Sequence, residues 1–264
     1  MISEERKLYL KKLKKDRIIV IFLRSFLIIF LIFIWELLSR LNIIDSFMLS
    51  SPSKILNTIV DLYRTNNLFI HIYTTLLEIL ISFILGNIIG FIVSSILYLN
   101  KRLYLILEPY LTILNSLPKI ALGPLIIMIG GANIKSVIIL ALLISSIISI
   151  LNITTAFYNT DKNKIKVLKS MNASKLDILF YVVIPSNYLI IINEAKLNIS
   201  MCFVGVIMGE FLVSKQGIGY LINYGCQIFN MNLVLTGIVL LIILTIILYN
   251  MINLTNKLIK KESN

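Results

Sequence analysis

Apolar runs of about 20 residues recur along the whole chain, each long enough to cross roughly 30 Å of hydrocarbon as a helix. No other feature constrains the fold as much. Backbone in lipid must pair its own N–H and C=O groups, which only helices and closed barrels achieve. Barrel strands would appear as alternating segments of about ten residues, so these runs are read as helices. The expectation is an all-α, polytopic membrane protein of about six spans, near 18–38, 76–99, 103–129, 134–157, 186–213 and 233–254. These form one membrane domain, 18–256, between a basic segment at 1–17 and a tail at 257–264. With 58% apolar and 14% charged residues and a mean hydropathy of +0.92, a soluble domain is excluded. Little of the 264 residues is left for an appended enzyme or nucleotide-binding domain.

Residues 176–213 hold enough apolar sequence for one span or two, and lysine placement decides between them. With six spans and both termini inside, 17 of the 25 basic residues fall on cytoplasmic segments. They are seven in 1–17, then Lys101 and Arg102, five in 161–175 and three in 257–261. A seventh span would move the C-terminal lysines outside. Residues 176–185 are therefore read as the exit of a cytoplasmic element, with the fifth span starting near Pro185. The net charge of +12 follows the cytoplasmic edges of the spans, where anionic lipid attracts Lys and Arg. No nucleic-acid partner is expected. SEERKLYLKKLKKDR at the N-terminus reads as an interfacial helix feeding the first span.

Catalytic patterns are missing from the sequence. There is one histidine, His71, and no HExxH, GxSxG, paired-cysteine or phosphate-binding glycine motif. His71 is read as an interfacial residue before the second span. Cys202 and Cys226 imply neither a disulfide nor a metal site.

Three segments carry chemistry of another kind. The loop DKNKIKVLKSMNASKLDILFYVVIP, 161–185, is lysine-rich and patterned. Ile165, Leu168 and Met171 share one helical face, while Lys162, Lys166 and Lys169 take others. NSLPKIALGPLIIMIGGANIKSVI, 115–138, carries Pro118 and Pro124 inside a span, where each removes a backbone donor and is expected to kink or break the helix. Broken backbone at membrane depth is tolerated where protein covers it or where it lines a cavity. GVIMGEFLVSKQGIGYLI, 205–222, places Glu210 near the end of a span and Gly217 and Gly219 in a sharp outer turn. A carboxylate in a span is a functional candidate by default. Ser145, Ser149 and Asn152 recur at i, i+4 and i+7, putting three hydrogen-bonding groups on one helix face as candidates to line a solute path. Gly86-Asn-Ile-Ile-Gly90 and Gly205-Val-Ile-Met-Gly209 are small-xxx-small patterns for close helix packing within the monomer.

These segments resemble the permease subunit of bacterial ATP-binding-cassette importers, in the nitrate/sulfonate/taurine group that includes permeases for thiamin-pyrimidine precursors. Pro118, Ala121, Pro124, Leu125 and Gly130 match that group's broken-span segment, and Glu210, Gly217, Gly219, Tyr220 and Leu221 match its outer turn. The loop corresponds in position to the family's EAA loop. Lys166, Val167 and Leu168 stand at the Glu-Ala-Ala positions and Asn172 at the glycine, while Ala173, Ser174 and Pro185 agree. Asn replaces such a glycine best because it tolerates the left-handed conformation. The basic residue the family carries in the fifth span is Lys196, beside which Glu194 replaces a glycine.

The resemblance implies a type I importer permease fold in the bacterial inner membrane with both termini cytoplasmic. It further implies a homodimeric pore, ATPase subunits docked at the 161–185 loops, and an extracytoplasmic binding protein delivering a small polar or anionic solute. ATP and Mg would bind the ATPase, and this chain would hold no cofactor. The alternative is a secondary transporter or channel, with Glu194, Lys196 and Glu210 as coupling charges.

Overall fold

A computed structural model describes residues 4–65 and 67–262. The described residues are helical almost throughout and include no strand. Met1–Ser3 of the basic N-terminal segment and Ser263–Asn264 of the tail lie outside them. Five helices are long and apolar enough to cross a membrane, or six if one bent pair counts as a single span.

α1 (Glu4–Arg40) runs the N-terminal segment and the first span together as one helix. Every side chain from Ile18 to Phe33 is exposed on the isolated chain, as befits a helix that is apolar on nearly all sides, Arg24 and Ser25 apart, and faces lipid. Its end is anchored: Glu36 pairs with Arg40 at 2.7 Å and accepts the Ser53 amide at 3.1 Å. Two short helices follow, α2 (Ser46–Leu49) and α3 (Pro52–Arg64). Ser51 caps α3 through the Lys54 amide and Pro52 occupies its first turn, where a missing N–H costs nothing.

Three long helices make the core. α4 (Asn67–Leu99), α7 (Ile134–Tyr158) and α11 (Tyr188–Val213) bury Ile79, Val137, Ala141, Cys202 and Val206 completely. Small residues set the spacing. A Cβ at Gly205 would land on the backbone of Ala141, so α7 and α11 touch almost backbone to backbone, the monomer-internal packing expected of these glycines. α4 begins nine residues earlier than the apolar run alone indicated, which brings His71 inside the helix.

Between α4 and α7 the third span divides. α5 (Lys101–Ser116) and the stretch Lys119–Gly130 meet at 90°. That stretch is a 3-10 turn, Lys119–Leu122, followed by α6 (Gly123–Gly130). The two prolines contribute unequally. Pro118 sits at the break, whereas Pro124 lies in the first turn of α6, a position that accepts proline without loss. Pro124 therefore starts a helix and does not interrupt one.

Past α7, the chain forms α8 (Lys162–Ser170), α9 (Lys175–Ile178), a π-helical turn at Leu179–Val183 and α10 (Ile184–Ser186). It then enters α11 at Tyr188, close to the start expected near Pro185. α12 (Ile218–Gln227) and α13 (Met231–Glu262) form a closing hairpin on the core.

Candidate functional site

The loop between α7 and α11 is a helix–turn–helix whose tip follows from four residues. Asp161 caps α8 through the Asn163 amide at 2.8 Å. Asn172 ends the helix with φ +59°, the left-handed conformation that its place at a family glycine led us to expect. Ser174 then opens α9 with a reciprocal cap. Its hydroxyl accepts the Asp177 amide at 3.2 Å, and Asp177 Oδ2 accepts the Ser174 amide at 2.9 Å. The bonds that the Ser174 hydroxyl and amide donate hold the Asp177 carboxyl below the usual carboxylate range.

The apolar underside of the loop packs on the ends of the core helices. Ile165, Leu168 and Ala173 pack against the buried cluster of Ile153, Phe157, Ile178, Leu179 and Val183. Met171 does not join them. It lies one residue past the end of α8 and is 75% exposed, so the expected three-residue face is a two-residue face. Lys166 and Val167 are exposed, as are Asn172, Ser174 and Pro185. The return limb of the loop is fixed by buried Asn187, whose Nδ2 donates to Thr160 Oγ1 at 2.7 Å and to the Val183 carbonyl at 2.8 Å. The first of these bonds ties the loop to the end of α7.

At the opposite end of the core, Glu210 has a definite task. The first amides of α12 have no partner within their own helix. Gly217 N–H donates to His71 Nδ1 at 3.0 Å, Ile218 N–H to Thr75 Oγ1 at 2.7 Å and Gly219 N–H to Glu210 Oε2 at 2.5 Å. Thr75 in turn donates to Glu210 Oε1 at 2.6 Å. Glu210 is 1% exposed, so within one copy it caps a helix and does not face an open passage. Gly217, at φ +107°, has the Glu210 carboxyl where a Cβ would be, so no side chain fits there. The outer turn at 217–219 is thus bolted to α4 and α11.

Sequence reasoning missed α4's share of this cluster. His71, read as interfacial, is buried with Thr75, and Glu78 faces the Glu210 carboxyl. The signal was present: His71, Thr75, Glu78 and Ser82 recur at i, i+4, i+7 and i+11, a polar stripe on one face of an apolar helix.

Ser145, Ser149 and Asn152 do share a face, of which the two serines are turned toward helices while Asn152 is exposed. Ser145 and Ser149 are fully buried, opposite Gly86 and Gly90 of α4. Ser149 Oγ and Asn152 Nδ2 donate to Glu194 at 3.2 and 2.8 Å, and Asn198 Nδ2 donates to Ser149 Oγ at 2.7 Å. Within one copy this face is a hydrogen-bonded contact between α7 and α11, which accounts for the extra carboxylate at Glu194. The broken span is the opposite case. α5 buries no residue, and Met128 and Ile129 of α6 are 79% and 78% exposed. Lys119 stands at the break, where its ammonium donates to the Asn115 carbonyl and side chain at 3.1 and 3.0 Å.

Known proteins resemble this chain. The chain is 25% identical over 223 residues to the "Probable ABC transporter permease protein" of Haemophilus influenzae, covering 83% of this chain and 89% of that one. It is 25% identical over 190 residues to the formylaminopyrimidine transport permease protein ThiX of Halalkalibacterium halodurans, covering 72% and 75%. A solved structure of the MetNI methionine ABC transporter in an inward-facing conformation contains a chain of the same fold. That chain matches with a TM-score of 0.61 at 21% identity, covering 74% of this chain and 94% of its own length. The family model for the binding-protein-dependent transport system inner membrane component matches residues 86–261, a stretch that holds the broken span, the helix–turn–helix loop and the capped outer turn. The chain belongs to that family, as a multi-pass ABC importer permease whose role is transport of a small solute.

Proposed function

We propose that two copies of this chain form the translocation pathway of an importer. An ATP-binding-cassette ATPase docks on each 161–185 loop, and a binding protein presents solute at the outer end. The observation that carries this reading is the loop itself: a short amphipathic helix, a left-handed Asn172 and a reciprocally capped second helix, standing clear of the membrane core and packed on the end of α7. Such a unit transmits displacement as a rigid body. The lysine distribution supports a cytoplasmic position for the loop and both termini.

The broken third span supports the second copy. Backbone freed from helical pairing at membrane depth needs protein or a water-filled cavity beside it. In a single chain, Pro118 and most of α6 have neither. A partner copy laid against α5 and α6 supplies the cover, and the passage runs between the two breaks. Pro118 and Lys119 are then the pathway residues nearest the break. Nitrate, sulfonates, taurine and vitamin precursors are the solute classes that fit the family resemblance, and one relative is named for a formylaminopyrimidine.

The test is assembly. Substituting Asn172, Ala173 and Ser174 together with bulky residues is expected to abolish co-purification of the ATPase while leaving the permease in the membrane. An unchanged yield of complex counts against the reading.

A further inference from the structure

Beside α8 lies a cavity of about 520 Å³ at the ends of the core helices. Lys162, Lys166 and Lys169 stand at i, i+4 and i+7, on one face of α8. The same cavity is lined by Lys101, the first residue of α5, and Lys175, the first residue of α9. Five lysines from three elements therefore line one cavity, and no Asp or Glu does. The two acids of the loop are engaged elsewhere: Asp161 caps α8 and Asp177 caps α9. None of the five lysines forms an ion pair among the described residues.

Like charges at i, i+4 destabilise a helix, and a merely solvated face would spread them out. Gathering them around a concave site is favourable when an anion occupies it. The floor of the cavity identifies the depth. Tyr98 and Leu99 end α4, and Phe157 and Tyr158 end α7. The rings interlock, with centroids 6.0 Å apart for Tyr98–Phe157 and 4.5 Å for Tyr104–Tyr158. Tyrosines at the ends of spans mark the headgroup level. Basic pockets between span ends on the cytoplasmic side suit anionic headgroups. The volume lies within the range of small-molecule sites.

We propose that this cavity binds the phosphate headgroup of an anionic phospholipid, with Lys101, Lys169 and Lys175 closing around it and the aromatic floor supporting its glycerol end. It rests on the cytoplasmic placement of the loop argued above. The exposed tip residues Met171, Asn172 and Ser174 stay free for the ATPase, so bound lipid would brace the docking unit from the side.

Native mass spectrometry of the purified full chain, with phosphatidylglycerol or phosphatidylcholine added, tests the site. One phosphatidylglycerol should be retained and phosphatidylcholine lost. The pair Lys101→Gln/Lys169→Gln should weaken retention about 30-fold, from the usual contribution of a lysine near an anionic surface. The pair Lys12→Gln/Lys15→Gln, equal in charge but outside the cavity, should weaken it less than about threefold, the part owed to diffuse charge alone. Equal losses from both pairs, or equal retention of the two lipids, would reduce the effect to diffuse charge and overturn the proposal. Displacement of the lipid by excess inorganic phosphate would assign the cavity to a free anion. Reduced ATPase co-purification with lipid retention unchanged would assign the lysines to the protein partner. Lipid retained by wild type and lost by the cavity pair supports the site even where no ATPase co-purifies, an outcome that counts only against the docking reading.

Discussion

Thr75→Val isolates the bond that joins the outer turn to the core. Thr75 is fully buried, and its hydroxyl donates to Glu210 at 2.6 Å while accepting from the Ile218 amide at 2.7 Å. Valine keeps the shape of the side chain, so no cavity opens. What changes is that a carboxyl oxygen loses a donor and the first amide of α12 loses its acceptor, both away from water. A buried polar group left unpaired costs about 1–3 kcal/mol, so two together cost about 2–6 kcal/mol. Thr75→Ser keeps the hydroxyl and removes one methyl, a loss of about 1 kcal/mol. Unfolding of the purified chain in mixed micelles by titration with denaturing detergent, compared across the three proteins, reads the difference. Trypsin cleavage after Lys215, two residues before Gly217, should accelerate in Thr75→Val alone. If valine and serine cost the same within about 0.5 kcal/mol, well inside the cost of one unpaired group, the hydroxyl does not bridge Glu210 and Ile218, and the capping account of Glu210 fails.

Gly205→Val drives a branched side chain into the backbone of Ala141 and should destabilise by about 3 kcal/mol or more through forced separation of α7 and α11, read by the same titration. Asn172→Gly should preserve ATPase co-purification, because glycine adopts φ +59° freely. Asn172→Val should lower it, the left-handed conformation costing a β-branched residue about 1–2 kcal/mol. The Asp177 carboxyl is held below its ordinary range by Ser174. Its capping contribution is therefore complete above the unfolded value, about pH 3.9, and is lost as pH falls through the lowered folded value. Amide protection factors across 174–178 should be flat from about pH 5 to 8 and drop only below about pH 4.

Lipid is a solvent with one overriding demand, and residues that answer it alone could be read directly. The apolar runs located the spans because their length and hydropathy are local properties. Lysine placement rejected a seventh span for the same reason, and α11 does start at Tyr188. The left-handed turn at Asn172 was legible because few residue types tolerate it. Polar contacts were not legible. Thr75 and Glu210 are 135 residues apart in sequence and His71 and Gly217 are 146 apart, and no periodicity says which stripes will meet. Ser145, Ser149 and Asn152 were candidates to line a passage, and no spacing shows that Gly86, Gly90 and Glu194 stand against them. Pro124 misled in another way, since proline breaks a helix from inside but starts one from its first turn.

The central claim is that the 161–185 loop docks an ATPase on the cytoplasmic side. Cysteine cross-linking tests it most directly, in a Cys226→Ser background because Cys226 is exposed while Cys202 is buried. Met171→Cys, at the loop tip and 75% exposed, is expected to cross-link to the co-expressed ATPase in membranes, and Gln216→Cys in the outer turn is not. A cross-link from residue 216, or none from 171 when the complex is intact, would contradict the account.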